Sequence, residues 1–336
     1  MDAAKKIAEA ALYEGYLLWP YRRSSRKNQQ RWTFGGVYPR EYSVARGEDD
    51  PWIMQTQCLA RGDEQTTIEV SVRFLHVVER KVARKTDEGL LPVDELRVGE
   101  ELYLSWDEAA EREIAVGRFE LSDLLRSAQH IQIDVAAGGT QESLAEPTGE
   151  VVGALVRSWR PLRGAVEVGA EPLQDEAYRV TVRITNTTPW GGEDRESTLR
   201  QTLVSTHTTL EIEGGAFVSL MDPPEELVEA AEGCENLKTW PVLVGEEGDR
   251  STMLSSPIIL YDYPQIAPES PGDLFDGTEI DQMLILNVLN LTDKEKEEMR
   301  ASDPRGREIL ERCESLSPEE LMRLNGTFRD VRMLRG

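Results

Sequence analysis

The residues of this chain that could do chemistry are few and lie far apart in the sequence. Its three histidines are His76, His130 and His207. None belongs to an H-x-E, H-x-H or H-E-x-x-H pattern, which disfavours zinc or non-haem iron held by local ligand pairs. The three cysteines form no C-x-x-C pair, and there is no G-x-S-x-G, Walker A or dinucleotide-binding motif. We therefore assign no cofactor and prefer a non-catalytic role.

A group of acidic residues within residues 262–281 is the best candidate for a hard-cation site. Carboxylates can bind Ca²⁺ or Mg²⁺, but the spacing is not that of an EF-hand, and a chain of net charge −24 forms such groups by chance. We keep open an alternative, a metal-dependent enzyme or metal carrier that uses His207 with acids of residues 262–281. The weak metal-ligand candidates are His207, Asp273, Asp276 and Glu279.

The acidic group belongs to an unusual stretch, residues 255–281. Its apolar run Pro257–Tyr261 is long enough for one buried strand. Three further prolines exclude a helix or a central strand in the segment after that run. A proline-rich yet apolar segment predicts an ordered loop fixed to a folded body, and such loops often carry function. The residues that we expect to contact a partner here are Tyr261, Asp262, Tyr263, Asp273 and Asp276.

A second unusual stretch is the basic N-terminal region. Residues 1–46 hold nine Lys/Arg and four Asp/Glu, a net of +5, which leaves the rest of the chain near −29. A predicted helix at Ala3–Leu18 leads into an arm rich in arginine and aromatic residues, the types favoured at interface hot spots. The arm is expected to dock on an acidic surface, either of the same chain or of a partner. Its partner-contact candidates are Arg22, Arg23, Arg26 and Trp32.

The pattern of apolar and polar residues outside these two stretches predicts mostly strands. Thr66–Val82 and Tyr178–Thr185 alternate between apolar and polar residues, and Thr292–Glu295 resembles a capping box that starts a C-terminal helix. The predicted fold class is α+β and β-rich, with antiparallel sheets, sandwich- or barrel-like, in two halves with a helical C-terminal tail. Two local predictions are a single helical turn capped at Ser105–Glu108 and a strand at Ile280–Leu291.

A Gly-rich segment, Gly138–Gly149, predicts a loop and is the chosen domain boundary. The predicted ranges are 1–46, a basic helix and arm; 47–145, a β-rich domain; 150–291, a second β-rich domain with the Pro/Asp loop; and 292–336, the helical tail.

The amino-acid composition limits which classes of partner the protein can bind and which compartment suits it. A charge of −24 argues against nucleic acid and against an anionic membrane surface, since both require a basic face. No apolar run is long enough to span a bilayer, and an odd number of dispersed thiols suits a reducing compartment. We expect a cytoplasmic protein that binds another protein.

The two unusual stretches, read together, resemble a known family. YLLWPYRRSSRKNQQRWTFGGVYP, TMLSSPIILYDYPQIAPESPGDLFDGTEID and the tail LTDKEKEEMRASDPRGREIL are similar to a little-characterised family associated with gene clusters of high-affinity, uptake-type NiFe hydrogenases. The resemblance covers most of the chain. It implies an accessory role in assembly, maturation or stabilisation of a hydrogenase, with a hydrogenase subunit or maturation factor as partner. It implies no catalytic residue.

A third hypothesis is a self-associating structural protein. In that case the basic arm of one copy would bind the acidic body of a neighbouring copy, which makes a homo-oligomer.

Overall fold

A computed structural model of the chain describes residues 7–9, 12–13, 35–47, 49–174, 176–265, 288–302 and 304–316. These residues form a β-rich structure of antiparallel sheets with short helices, which confirms the predicted fold class. The helices whose bounds the structure defines are α1 (Arg40–Arg46), α2 (Leu121–Arg126), α3 (Arg195–Leu199), α4 (Val228–Glu232), α5 (Asp293–Ser302) and α6 (Pro304–Ser315), with a 3-10 turn at Glu225–Leu227. Residues 7–9, 12–13 and 288–289 are also helical.

The strands lie between residues 53 and 256. They are β1 (Ile53–Arg61), β2 (Thr67–Thr86), β3 (Gly89–Val93), β4 (Glu95–Val98), β5 (Glu101–Leu104), β6 (Trp106–Glu120), β7 (Gln129–Val135), β8 (Gly138–Ala145), β9 (Val151–Trp159), β10 (Leu162–Pro172), β11 (Ala177–Asn186), β12 (Val204–Glu213), β13 (Ala216–Val218), β14 (Trp240–Leu243) and β15 (Thr252–Ser256).

Two main sheets are built from these strands. The smaller sheet has five strands in the order β13-β1-β11-β10-β7, and the larger has the order β14-β15-β12-β2-β9-β8, with β3 and β6 also paired to β2. A separate hairpin joins β4 and β5. The sheets do not close into a barrel. Strands from both predicted β-rich ranges share each main sheet, since β1 pairs with β11 and β2 pairs with both β9 and β12.

The principal core lies between the two main sheets. Alternation along β11 directs Val182 and Ile184 into a cluster that also contains Val72 and Phe74 of β2 and Met253 of β15. All five are almost fully buried. Burial of each such side chain contributes about 1.5–3 kcal/mol relative to exposure, so the apolar faces hold the sheets together.

Three local predictions are wrong where the structure describes them. Ser105–Glu108 does not cap a helix, because Trp106–Glu120 is strand β6, which pairs with β2 over fourteen positions. Most of Gly138–Gly149 is strand β8 rather than a loop, because it pairs with β9. Of the predicted strand at Ile280–Leu291, residues 280–287 lie outside the described part, and residues 288–289 are helical. In the first two cases, cross-strand pairing outweighs a local signal.

The C-terminal helices are fixed to the sheet. The capping box that begins α5 is present, since Thr292 N donates to Glu295 Oε2 at 2.9 Å. At the other end of α5 the buried Arg80 guanidinium donates to the carbonyls of Ala301 (3.0 Å) and Ser302 (3.1 Å), and to Glu108 (2.7 Å). Helix C-termini carry partial negative charge and unpaired carbonyls, so a buried cation stabilises the tail there. No helix among the described residues is long and apolar enough to cross a membrane.

Candidate functional site

The sequence-selected residues divide into two groups. His207, Tyr261, Asp262 and Tyr263 have described positions. The others lie outside the described residues, so their roles stay predictions. They are Arg22, Arg23, Arg26, Trp32, Asp273, Asp276 and Glu279.

The structure brings the described end of the basic arm against the start of the Pro/Asp loop. Gly35 accepts a hydrogen bond from Thr206 N at 3.0 Å through its carbonyl oxygen, and Val37 exchanges two backbone hydrogen bonds with Leu203. A Cβ at Gly35 would lie only 2.5 Å from Cγ of Pro257, and Gly35 has a φ of 56°. A glycine is therefore required where the two stretches meet. Their contact could not be foreseen from the sequence.

The start of the loop, residues 257–261, is not a buried strand as predicted. Strand β15 ends at Ser256, because Pro257 has no N–H for a further ladder bond. The segment then alternates: Ile258 and Leu260 pack against a cluster that includes Val242 of β14. The side chain that follows each of them faces solvent. These two side chains are Ile259, 73% exposed, and Tyr261, 78% exposed.

Asp262 holds the end of this segment against β14. Its Oδ1 accepts a hydrogen bond from Leu243 N at 2.8 Å, and its Oδ2 accepts one from Ser219 Oγ. Tyr263 N donates to the Leu243 carbonyl at 2.7 Å, with Tyr263 at a φ of 54°. The Tyr263 ring packs against the main core. Asp262 and Tyr263 thus have internal structural roles, and of the three neighbours selected from the sequence Tyr261 alone is strongly exposed.

Other large apolar side chains are exposed on the stretches of chain that lead to or follow the residues that anchor this segment, Ser219 and Leu243. Met221 N donates to Ser219 Oγ, the hydroxyl that binds Asp262, so Met221 lies beside the end of the segment. Leu237 bonds to Gln55 through its backbone, and Trp240 begins β14, opposite Ser256. We call the following five residues the apolar surface: Met221 (51% exposed), Leu237 (47%), Trp240 (41%), Ile259 and Tyr261.

The charges that flank the apolar surface in the chain are mostly acidic. Asp222, Glu225 and Glu235 are exposed there, against one exposed base, Lys238. Acidic flanks attract a partner that carries lysine or arginine around its own apolar contacts. Sequence reasoning missed Met221, Leu237, Trp240 and Ile259. The one signal in the sequence that could have indicated them was Pro257, because a proline there ends the strand at Ser256 and leaves residues 257–261 outside it.

His207 lies beneath the junction of arm and loop and is fully buried. Its Nδ1 donates to the Ser205 carbonyl at 3.2 Å, and its Nε2 has no hydrogen-bond partner among the described residues. Burial lowers the pKa of His207 to about 4, so the ring is neutral at pH 7. Ser205 has a φ of 50° at an irregularity of β12, and the histidine bond stabilises that bend.

The structure offers no described metal site that would use His207. Within the described residues no group of three or more His, Cys, Asp and Glu side chains could hold a metal ion. Asp262 uses both carboxylate oxygens for the Leu243 amide and the Ser219 hydroxyl. The remaining candidate ligands lie outside the described part, so the metal alternative stays a prediction.

Comparison with known proteins does not assign a family. No protein-family model matches the chain, and no curated protein is significantly similar to it.

Proposed function

We propose that this chain is a non-catalytic accessory protein that binds another protein through the apolar surface. The observation that supports the proposal best is the extended segment 257–263, fixed at both ends, which directs Ile259 and Tyr261 into solvent. Pro257 packs on Gly35 at one end, and Asp262 binds Leu243 at the other. Ile258 and Leu260 pack inward, so Ile259 and Tyr261 lie together on the outer side of the segment. Contiguous exposed apolar patches are uncommon on monomeric proteins and mark interaction sites.

Fixing the segment before binding favours recognition. A loop that is already ordered loses less conformational entropy when a partner immobilises it. Tyrosine and tryptophan are enriched at hot spots, and the apolar surface contains Tyr261 and Trp240. The partner is expected to bind through side chains, because Asp262 and Tyr263 already occupy the backbone N–H and C=O of Leu243 on β14.

The partner that fits this surface has apolar side chains surrounded by basic residues. The family resemblance implies that it is a NiFe hydrogenase subunit or a maturation factor, and that the chain acts in assembly, maturation or stabilisation of the enzyme. This assignment combines two independent arguments. The resemblance suggests the partner, and the exposure of Ile259 and Tyr261 suggests the contact.

The test is a pair of variants in the native host. Ile259→Ser with Tyr261→Ala removes the two most exposed members of the apolar surface, and Val44→Ser, at a residue of α1 that is 74% exposed, is the matched control. We expect the double variant to lose co-purification of hydrogenase subunits or maturation factors and to lower hydrogenase activity severalfold, since hot-spot truncation costs about 2 kcal/mol or more. Immunoblots and thermal melts check that both variants accumulate and fold.

Two outcomes would contradict the proposal. One is hydrogenase activity in the double variant equal to that of Val44→Ser. The other is wild-type protein that purifies from the host with neither hydrogenase subunits nor maturation factors.

A further inference from the structure

Strand β7 is an open edge of the five-stranded sheet. It pairs with β10 and with no other described strand. No other described backbone group bonds to its residues, Gln129 to Val135. Natural edge strands are usually protected by proline, lysine, a bulge or a covering segment. β7 contains neither proline nor lysine, and its register with β10 is regular.

The sequence of β7 is complementary to itself when it runs antiparallel about Gln132. In that register His130 faces Asp134 of a second copy, and Ile131 faces its Ile133. Exposure matches this arrangement, because His130, Gln132 and Asp134 are exposed while Ile133 is buried. Directly opposite residues of an antiparallel pair have Cβ atoms about 5 Å apart, close enough for these side chains to interact.

The charges of the neighbouring strands continue the pattern. On the same face of the sheet, β10 places Glu167 beside His130 and Arg163 beside Asp134. Arg183 of β11 lies beyond Glu167, with 3.6 Å between the charged atoms. A row across two paired copies would therefore read Arg183, Glu167, His130, then Asp134 and Arg163 of the second copy. Acidic and basic groups alternate along the whole row, so pairing creates no like-charge contact.

We propose that two copies of this chain associate through β7, with a two-fold axis at Gln132, and join their five-stranded sheets into one continuous sheet. This interface is isologous, the commonest form of dimer contact. Seven residues of strand edge bury less than a standard interface, so we expect a dissociation constant in the micromolar range or weaker. The proposal is independent of the proposed function, because it uses none of the apolar surface.

Sedimentation of the purified full chain over a range of concentrations tests the proposal. The wild type is expected to show a reversible monomer–dimer equilibrium. His130→Asp puts two carboxylates opposite each other at both symmetry-related positions, which should weaken dimerisation roughly tenfold. Thermal melts at low concentration check that the variant folds.

A charge swap separates the interface from effects inside one copy. His130→Asp with Asp134→Lys places a carboxylate opposite an ammonium group across the two-fold axis and should return the dissociation constant to within about threefold of wild type. Glu167 and Arg163 belong to the same copy as their altered neighbours, so their repulsion is present in monomer and dimer alike. A wild type that stays monomeric at high micromolar concentration, a His130→Asp variant that dimerises normally, or a double variant as weak as the single one would overturn the proposal.

Discussion

Strands β14 and β7 are both outer strands of their sheets, yet one edge is closed and the other is open. Directly after β14, Val244 N donates to the Thr252 carbonyl on the inner side, so Leu243 directs its backbone groups outward. Asp262 and Tyr263 bind that outward N–H and C=O. Pro241, two residues earlier on the same side, has no N–H at all. On β7 no described residue bonds to the outer edge.

The difference between the two edges implies two modes of recognition, one through side chains and one through backbone pairing. A closed edge offers a partner only side chains, and the segment that closes β14 is the one that exposes Ile259 and Tyr261. An open edge offers backbone groups, whose bonding is independent of sequence and favours any strand of suitable register. We therefore expect the β14 side to select a specific partner and the β7 side to pair with a second copy.

The largest expected effect follows removal of the Asp262 carboxylate. Asp262→Ala leaves the Leu243 amide and the Ser219 hydroxyl without their acceptor, and hydrogen bonds to a charged group contribute about 1.5–3 kcal/mol each. Allowing for partial exposure, we expect the free energy of unfolding to fall by about 2 kcal/mol. The Leu243 amide should also exchange its hydrogen at least about tenfold faster.

Denaturant unfolding and amide hydrogen exchange measure these changes, with Asp222→Ala as the control at an exposed acid nearby. The closed-edge description fails if Asp262→Ala leaves the Leu243 amide as protected as in the wild type.

A smaller effect is expected at the other end of the segment. Gly35→Ala places a Cβ 2.5 Å from Pro257 Cγ, so the segment must shift. We expect a loss of about 1–2 kcal/mol in unfolding free energy and weaker partner binding. Gly149→Ala is the control, because Gly149 also has a positive φ, 88°, but has no atom within 4 Å of the added Cβ. Equal losses in the two variants would show that backbone strain, and not the contact with Pro257, sets the cost.

Several strands could be predicted because apolar and polar residues alternate along them in the sequence. The period of two in Thr66–Val82 and Tyr178–Thr185 corresponds to β2 and β11, and the capping box at Thr292–Glu295 begins α5 as expected. Strand pairing could not be predicted, because β1 pairs with β11 more than a hundred residues away. The same long-range pairing turned the apparent cap at Ser105–Glu108 into part of β6.

The sequence singled out the stretch that we propose as part of the candidate site, but not the geometry of that stretch. Proline content singled out the 255–281 stretch, yet an apolar run does not say which alternate residues face the core. Ile258 and Leu260 pack inward only because β14 lies beside them, and that leaves Ile259 outside. Asp262 was expected to contact a partner. Instead it fixes the end of the 257–263 segment to β14, because the fold places the Leu243 amide nitrogen 2.8 Å from its carboxylate.

The smallest expected effect distinguishes the two devices that close β14. Pro241→Val restores an outward N–H, but Asp262 and Tyr263 still occupy the neighbouring outward position at Leu243. Stability should change by less than about 1 kcal/mol, chiefly through greater freedom of the unfolded chain. Sedimentation should show self-association equal to that of the wild type, whereas Pro241→Val combined with Asp262→Ala should aggregate through β14. If Pro241→Val alone increases self-association, the proline and not the 257–263 segment keeps this edge closed, and the contrast with β7 reduces to a single residue.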